Sequence, residues 1–416
     1  MENNINSFNK FYIKSIKFII IIHFFSLLFH GQIFYTHKNV HIDFSKFTFL
    51  VIFIYFLLLI LKKKIRLYYS YIDLIFIIFI LISFSHFYFT KKIDFFLGLM
   101  INFYIFFIYF FYKNLILNNY KFYLIKLIKI ITIIASLIGI VGWLISQFNL
   151  SDYFVLNYKY PFNLFKSVRA KSLFDHPNYF FIFQVLGFFL YLKLFLKKKN
   201  KKNLFFLIII LIAMIITFCK SIVLLFSVFL LFILLNFKIN IIINNILKFF
   251  IFLGLISFLL FSHLIIVNKN SDNYNYYTSD KFMVEKKIIL KIKDFEIYFN
   301  NYFSLKKISF EMFLNKPLIG NGEMALREYS KLFDAPSNNH HSQHMNILAN
   351  KGIIGFSAYL ILLVLTIRGS FRNKKNMIGF YFIFYLIFEG FFSDLNSLNF
   401  LWFAIASVEA NRIKNI

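Results

Sequence analysis

Long apolar stretches alternate with short polar ones along most of the chain. About twelve stretches approach the roughly 20 apolar residues that a helix needs to cross a bilayer. Such spans must be helical, because lipid offers the backbone no hydrogen-bond partner. The predicted spans are residues 11–30, 44–61, 71–89, 95–112, 122–147, 178–196, 204–218, 221–237, 246–267, 346–367, 377–391 and 397–411. The pattern therefore predicts an all-α polytopic membrane protein with about twelve transmembrane helices.

The composition agrees with a membrane location and argues against nucleic-acid binding, a disulfide and a cysteine metal cluster. Apolar residues make up 60% of the 416 residues and the mean hydropathy is +0.71, above the roughly 45–50% apolar content of soluble domains. The formal net charge is +28, but the basic residues lie in short blocks between apolar stretches, so we expect no nucleic-acid partner. The single cysteine, Cys219, excludes an intrachain disulfide and a cysteine metal cluster.

The distribution of lysine and arginine predicts the orientation of the spans. Basic residues in short loops stay on the cytoplasmic side. With the N-terminus inside, the strongly basic loops all fall inside; they contain Lys62, Lys63, Lys64 and Arg66, then Lys197, Lys198, Lys199, Lys201 and Lys202, then Arg368, Arg372, Lys374 and Lys375. We therefore expect both termini in the cytoplasm.

Two longer connections, residues 148–177 and 268–345, then fall on the outer side and contain all four prolines. They divide the chain into residues 1–147 with spans 1–5, residues 178–267 with spans 6–9, and residues 346–416 with spans 10–12 and a cytoplasmic tail. Structured turns are therefore expected mainly on one side of the membrane.

The large loop between the ninth and tenth spans has a periodicity of its own. Its stretches 281–300 and 303–315 alternate apolar and charged residues at helical spacing. We expect two or three amphipathic helices there, lying on the membrane surface.

Arginine is rare in this chain, which makes its positions outside the cytoplasm informative. Six of the 46 basic residues are arginine, and only Arg169 and Arg327 fall in the outer loops. A planar, permanently charged guanidinium suits bidentate binding of phosphate. A surface salt bridge or a lipid headgroup contact is the alternative for both residues.

Lys220 is a lone charge within the otherwise apolar stretch 204–237. A charge at membrane depth is costly and usually functional. The alternative is that its flexible stem carries the ammonium group to the outer interface.

Three histidines, His340, His341 and His344, stand where the large loop meets the tenth span. Imidazole titrates near neutral pH, so one of them is a candidate general base. The spacing of His340 and His344 also suits a metal, but no third ligand has characteristic spacing, and we expect none. Asp294 and Glu296 are acidic neighbours typical of a solvated helix face.

Three segments resemble motifs of the O-antigen ligase and O-antigen polymerase superfamily. HSQHMNILANKGIIGF, residues 341–356, is similar to the signature in which a loop histidine precedes a glycine-containing helix turn. RAKSLFDHPN, residues 169–178, resembles the pattern in which an arginine precedes the Pro-Asn that opens a helix. KPLIGNG, residues 316–322, resembles the Pro-Leu-Leu-Gly-x-Gly turn. The order of the motifs and the helix layout also fit.

The chain departs from the family pattern at three places. Ser342 stands where asparagine commonly follows the histidine, and Cys219-Lys220 stands where many members have Ser-Arg. The arginine that many members carry about fifteen residues before the Pro-Leu-Leu-Gly turn is absent; Lys306 or Lys307 is the candidate replacement. A lysine supplies charge without the bidentate fork.

The resemblance implies transfer of a glycan from an undecaprenyl-diphosphate donor to an acceptor hydroxyl on the periplasmic face of a bacterial inner membrane. It implies His341 as the catalytic base and Arg169, Lys220 and Arg327 as contacts of the donor diphosphate. Candidate supporting residues are His176, Lys307 and His344. We expect an inverting, metal-independent enzyme without a cofactor, whose partners are the donor, a lipid or glycan acceptor and membrane lipids.

Several functions stay open from the sequence. A ligase would transfer the glycan to a lipid A core sugar, and a polymerase would transfer it to another lipid-linked repeat unit; we favour the ligase. A polysaccharide or lipid transporter would place ionisable residues and broken helices near the bilayer midplane. Here the predicted spans contain no proline and their charges lie near the ends. A membrane-anchored assembly partner would need neither a base nor bound cations.

Overall fold

The computed structural model of the protein is mostly helical. It describes residues 2–26, 29, 33–37, 40–157, 168–237, 240–261, 263–269, 288–299, 301–323, 325, 326, 329, 340–372, 377–391, 393, 395 and 399–414.

Thirteen α-helices lie within these described residues. Twelve of them fall on the twelve predicted spans, one on each, and α10 lies in the large loop. They are α1 (Glu2–Ser26), α2 (Phe44–Leu61), α3 (Tyr71–Thr90), α4 (Ile93–Leu115), α5 (Lys121–Gln147), α6 (Pro177–Lys198), α7 (Lys201–Ile215), α8 (Ser221–Asn236), α9 (Ile241–Phe261), α10 (Asn301–Asn315), α11 (Gln343–Arg372), α12 (Met377–Glu389) and α13 (Asn399–Lys414). A π-helical turn, Ile116–Tyr120, joins α4 to α5. The helix α10 agrees with the amphipathic helix expected over residues 303–315.

Within the part of the chain that the structure describes, five helical segments are long and apolar enough to cross a membrane. They are Tyr71–Thr90, Ile93–Gln147, Pro177–Lys198, Ile241–Leu260 and Gln343–Ser370. The second contains both α4 and α5, and shorter apolar helices occur as well. The protein is a multi-pass membrane protein, while the number of crossings and their orientation stay predictions.

Strands replace a predicted helix in the large loop. The strands are β1 (Ile33–His37), β2 (Val40–Asp43), β3 (Val155–Asn157), β4 (Val168–Ala170), β5 (Leu264–Asn268), β6 (Ile288–Ile292) and β7 (Phe295–Phe299). The last three form an antiparallel sheet in the order β5-β7-β6. The amphipathic helix expected over residues 281–300 is therefore wrong for residues 288–299. The ninth span, expected to reach residue 267, ends at Phe261.

The local sequence explains this correction. Between residues 295 and 299 every second side chain, that of Glu296 and of Tyr298, is buried. A period of two is the period of a strand. Lys293 has a φ of 50° between β6 and β7 and turns the chain back on itself. Aromatic and β-branched side chains, which favour strands, make up most of β7.

The chain divides into two compact units. The first comprises Met1–Tyr68, Phe111–Tyr158 and Phe165–Cys219, and the second comprises Tyr69–Phe110, Lys159–Leu164 and Lys220–Ile416. In the first unit α5 packs against α6 and α7, and Gly187 lets α6 approach Thr132 on α5. In the second unit α11 packs against α3, α10, α12 and α13.

The helix α11 is interrupted where the motif KPLIGNG docks against it. Gly352 has a φ of 62° and a ψ of −164°, a conformation almost confined to glycine. The break frees backbone groups on both sides. The Ala349 and Asn350 carbonyls accept from the Asn321 and Gly322 amides at 3.0 and 2.9 Å. The Ile353 and Ile354 amides donate to the Pro317 and Leu318 carbonyls at 2.8 and 3.2 Å. Two of the three sequence motifs thus meet through four backbone hydrogen bonds.

Glycines at this junction are required by space as well as by conformation. A Cβ on Gly352 would collide with the Leu318 carbonyl, and a Cβ on Gly320 would collide with the Asn350 carbonyl. Gly320 has a φ of 76°. The junction therefore depends on the absence of side chains at these two positions.

A buried ion pair lies beside the junction. Lys351 on α11 is salt-bridged to Glu323, whose carboxylate also accepts from Asn102 at 3.4 Å and from Asn350 at 3.3 Å. Gly98 on α4 leaves room for the Glu323 side chain. Burial acts to raise the pKa of Glu323, but the Lys351 ammonium and these hydrogen bonds hold it below its ordinary value.

Replacing Gly352 tests the docked junction. Gly352→Ala should lower stability by at least about 1–3 kcal/mol, because alanine resists this backbone conformation and its Cβ meets the Leu318 backbone. Thermal unfolding of the purified protein in detergent micelles measures the loss. Gly369→Ala is the matched control on the same helix, since its Cβ would lie 3.1 Å from the Val408 side chain rather than against backbone. Equal unfolding midpoints for the two variants would contradict the junction.

Candidate active site

The segment His340–His344 is held from two sides at the start of α11. Ser342 begins the helix: its hydroxyl accepts from the Met345 amide at 3.4 Å and donates to the Gly390 carbonyl at 3.2 Å. The Gln343 amide donates to the same Gly390 carbonyl at 2.7 Å. Serine and asparagine are both preferred helix N-caps, so serine in place of the family's asparagine keeps this function.

The three histidines of this segment have different surroundings. His340 is buried and its Nδ1 lies 2.6 Å from the Ser309 Oγ on α10. His344 is also buried; its Nε2 lies 2.8 Å from the Ile387 carbonyl, and its ring is edge-on to Phe391. His341 is half-buried, with a φ of 48°. The most accessible imidazole of the three is therefore the one that the motif singles out.

Burial keeps the His341 imidazole neutral. It lowers the pKa of His341 to about 4. Burial also lowers the pKa of His340 to about 4, against the opposing effect of the Glu323 carboxylate. At neutral pH the His341 ring therefore has a lone pair available to accept a proton.

His340 and His344 have a spacing that suits a metal, but each of them makes a hydrogen bond to a different helix. The first histidine contacts α10 and the second contacts the last turn of α12. Within the described ranges, no three His, Cys, Asp or Glu side chains come together as a metal site.

A second group of basic side chains lies in the same unit, and we name it the basic cluster: Lys220, His263 and Lys306. The Lys306 Nζ lies 2.9 Å from the His263 Nε2, and the Lys220 Nζ donates to the Leu264 carbonyl at 3.2 Å. Burial, then the charges of Lys306 and Lys220, lower the pKa of His263 to about 4. Burial lowers the pKa of Lys306 to about 7.

The helix α10 links the basic cluster to the histidine segment. Lys306 and Ser309 are three residues apart and lie on the same side of the helix, and Ser309 contacts His340. Lys307 is exposed, on a different side of the helix. Of the two lysines considered for the missing family arginine, Lys306 is the one that faces the histidines.

Arg169 lies in the first unit, where it joins two segments. From β4 its Nε donates to the Thr217 carbonyl at 2.8 Å, and its Nη2 lies 2.9 Å from the Asn178 Oδ1 and 3.0 Å from the Cys219 Sγ. It therefore fixes the turn between α7 and α8, immediately before Lys220, to the start of α6.

The Pro-Asn of this motif opens α6, as the resemblance implies. Pro177 occupies the first turn, and the preceding His176 caps the helix by accepting from the Asn178 amide at 3.2 Å. This contact gives His176 a structural role as the N-cap of α6.

Two residues remain to be compared with the sequence analysis: Arg327, which it predicted as a site residue, and His263, which it did not. Arg327 lies outside the described residues. His263 was not singled out from the sequence, since it follows an apolar stretch and is separated from Lys306 by 43 positions. No local spacing connects the two residues; only the fold brings them together.

Similarity to known proteins identifies the middle of the chain. Residues 204–360 match a family model described as O-Antigen ligase. This segment is similar to the O-antigen ligase domain. The match confirms the resemblance to the O-antigen ligase and polymerase superfamily, and the matched segment includes the basic cluster and the histidine segment. The Arg169 motif precedes it. No curated protein matches the chain significantly.

Proposed function

We propose that the protein is an O-antigen ligase-like glycosyltransferase that moves a glycan from an undecaprenyl-diphosphate donor to an acceptor hydroxyl on the periplasmic face. The supporting observation is that the segment similar to the O-antigen ligase domain contains an accessible, neutral imidazole at His341 and a cluster of basic side chains joined to it through α10. A lipid A core sugar is the favoured acceptor, and a lipid-linked repeat unit is the alternative.

The reaction exchanges one bond at the anomeric carbon for another. The acceptor oxygen attacks this carbon from the side opposite the diphosphate, so the configuration inverts. The carbon–oxygen bond to the diphosphate breaks and both its electrons leave with undecaprenyl diphosphate. The acceptor proton passes to His341. Cationic side chains favour this step because the negative charge on the leaving group grows in the transition state, and no metal is required.

His341 fits the role of base in its neutral form. Its low pKa in the free protein means that it holds no proton when the acceptor arrives. A bound diphosphate brings negative charge close to the ring and raises the pKa of the imidazole, which makes it a better base once the donor is in place.

Lys306 and Lys220 are the proposed diphosphate contacts in the second unit. A half-buried ammonium group such as that of Lys306 lacks part of its hydration, so an anion compensates a larger cost there than at an exposed lysine. Lys220 is exposed and adds charge at the start of α8. Arg169 and Arg327 stay predicted contacts, and Arg169 would also position the turn before Lys220.

Removing the base should abolish most of the activity. In a transfer assay with a purified lipid-linked glycan and acceptor, His341→Ala should lose about 10²–10⁴-fold in kcat, the usual contribution of a general base. His344→Ala is the comparison: it removes a buried contact and should chiefly lower the unfolding temperature. Full turnover by His341→Ala would remove this residue from the chemistry.

The pH dependence should be bell-shaped. The free enzyme needs His341 unprotonated, which fails below a pKa of about 4, and Lys306 protonated, which fails above a pKa of about 7. The value of kcat/KM should therefore rise through about pH 4 and fall through about pH 7. Lys306→Arg keeps its charge at alkaline pH, so the alkaline fall should disappear.

The neighbouring exposed lysine provides the matched control for this profile. Lys307→Arg makes the same chemical change one position along α10 and should leave the alkaline fall in place. An alkaline fall that persists in Lys306→Arg, or that moves only in Lys307→Arg, would assign the contact elsewhere.

The intermediates that accumulate without the protein separate the possible acceptors. In cells from which the gene is deleted, a ligase deficiency should leave lipid-linked polymer, and restoration of the gene should remove it. Accumulation of single lipid-linked repeat units would indicate the polymerase instead. Glycan retained on the cytoplasmic face would indicate a transporter. Chromatography of extracted lipid-linked glycans, with and without a periplasmic label, distinguishes these results.

A further inference from the structure

The sheet that follows α9 has two different faces. On its inner face Val267, Glu296 and Tyr298 are buried. The strand register sets Ile266, Ile297 and Leu290 side by side on the other face, with Leu264 beside Phe299 and Phe295 beside Ile292. We name these seven residues the outer sheet face. Four of the seven are exposed: Ile266, Leu290, Ile292 and Phe299, at 41–55%.

The apolar surface continues from the sheet onto α10. The rings of Phe299 and Phe303 are stacked with centroids 4.8 Å apart. Phe303, Phe310 and Leu314 are exposed, and their spacing of seven and four residues places them along one stripe of the helix. The outer sheet face and this α10 stripe therefore form a continuous apolar surface, and exposed apolar patches of this kind mark interaction or membrane sites.

The chain path brings this surface to the edge of the bilayer. The helix α9 contains the candidate membrane span Ile241–Leu260 and ends at Phe261. The strand β5 begins at Leu264, only three residues later. Three residues reach about 10 Å at most, so the sheet cannot lie far from the membrane surface at which α9 emerges.

Basic side chains border the apolar surface. Lys293 at the β6–β7 turn and Lys307 within the α10 stripe are both exposed. Apolar residues flanked by lysine are typical of segments that lie in the boundary between headgroups and acyl chains, where lysine meets anionic lipid.

We infer that the outer sheet face and the α10 stripe rest together on the bilayer surface that α9 reaches, with their apolar side chains among the lipid headgroups and upper acyl chains. Lys293 and Lys307 then contact anionic headgroups. This lipid contact is independent of the proposed transfer reaction, and the sheet makes it together with α10, where the sequence alone suggested only helices.

Fluorescence quenching in lipid nanodiscs, where both membrane faces meet the buffer, tests this contact. Leu290→Cys and Ile292→Cys carry an environment-sensitive fluorophore on the outer sheet face. Lys291→Cys, which points to the opposite side of the same strand, and Asp294→Cys in the hairpin turn are the matched controls. The parent chain, whose Cys219 is buried, measures background labelling. Unfolding temperatures equal to that of the parent show that the labelled chains are folded.

A nitroxide attached near the headgroup of phosphatidylcholine, in discs of phosphatidylethanolamine and phosphatidylglycerol, should quench the labels at positions 290 and 292 several-fold more than those at 291 and 294. Iodide in the buffer should show the reverse order. Equal iodide quenching at all four positions would show the face in water, and protection from both quenchers would show it covered by protein. Either result overturns the inference.

The basic border is tested separately. Lys293→Gln combined with Lys307→Gln should weaken lipid quenching of the Ile292→Cys label in discs that contain phosphatidylglycerol. The same pair should have little effect where phosphatidylcholine replaces it. An equal effect in both discs would overturn the contribution of anionic headgroups while leaving the apolar contact to the first experiment.

Discussion

The docking of the 316–322 turn into the break of α11 is the constraint on which the rest of the second unit depends. A continuous helix has no backbone groups to offer in its interior, because each is bonded within the helix. The Gly352 conformation frees such groups on each side, and the turn binds to four of them. This interaction connects α10, which precedes the turn, to the histidine segment at the start of α11. The Lys306 and Ser309 side chains thereby come near the histidines His263 and His340.

Buried ionisable groups of this unit avoid an isolated charge in two ways: Glu323 and Lys351 form an ion pair, and the histidines are neutral. Glu323 and Lys351 are both buried, and each neutralises the other with help from asparagine side chains. The histidines instead lose charge through burial, as the low pKa values of His340 and His341 show. The basic cluster is intermediate, because Lys306 is half-buried beside a neutral His263.

The helices could be predicted from the sequence because each apolar stretch carries its own information on length and hydropathy. The sheet could not, since apolar and charged residues around position 295 fit both a helical and a strand period over a short window. His341 was accessible to sequence reasoning through its motif, whereas the capping contact of Ser342 became known only from the structure. The contact between His263 and Lys306 depends on tertiary structure that no local spacing encodes. The structural role of the motif residues Gly320 and Gly352 became clear only from their backbone contacts.

The start of α11 directly after His341 has one more physical effect. The first turn of a helix carries a partial positive charge. This field opposes protonation of an imidazole placed beside it. In the proposed reaction it would also stabilise negative charge that develops at the same end of the helix, so one structural element would act on both the base and the leaving group. Moving the beginning of this helix by one turn would weaken both effects together.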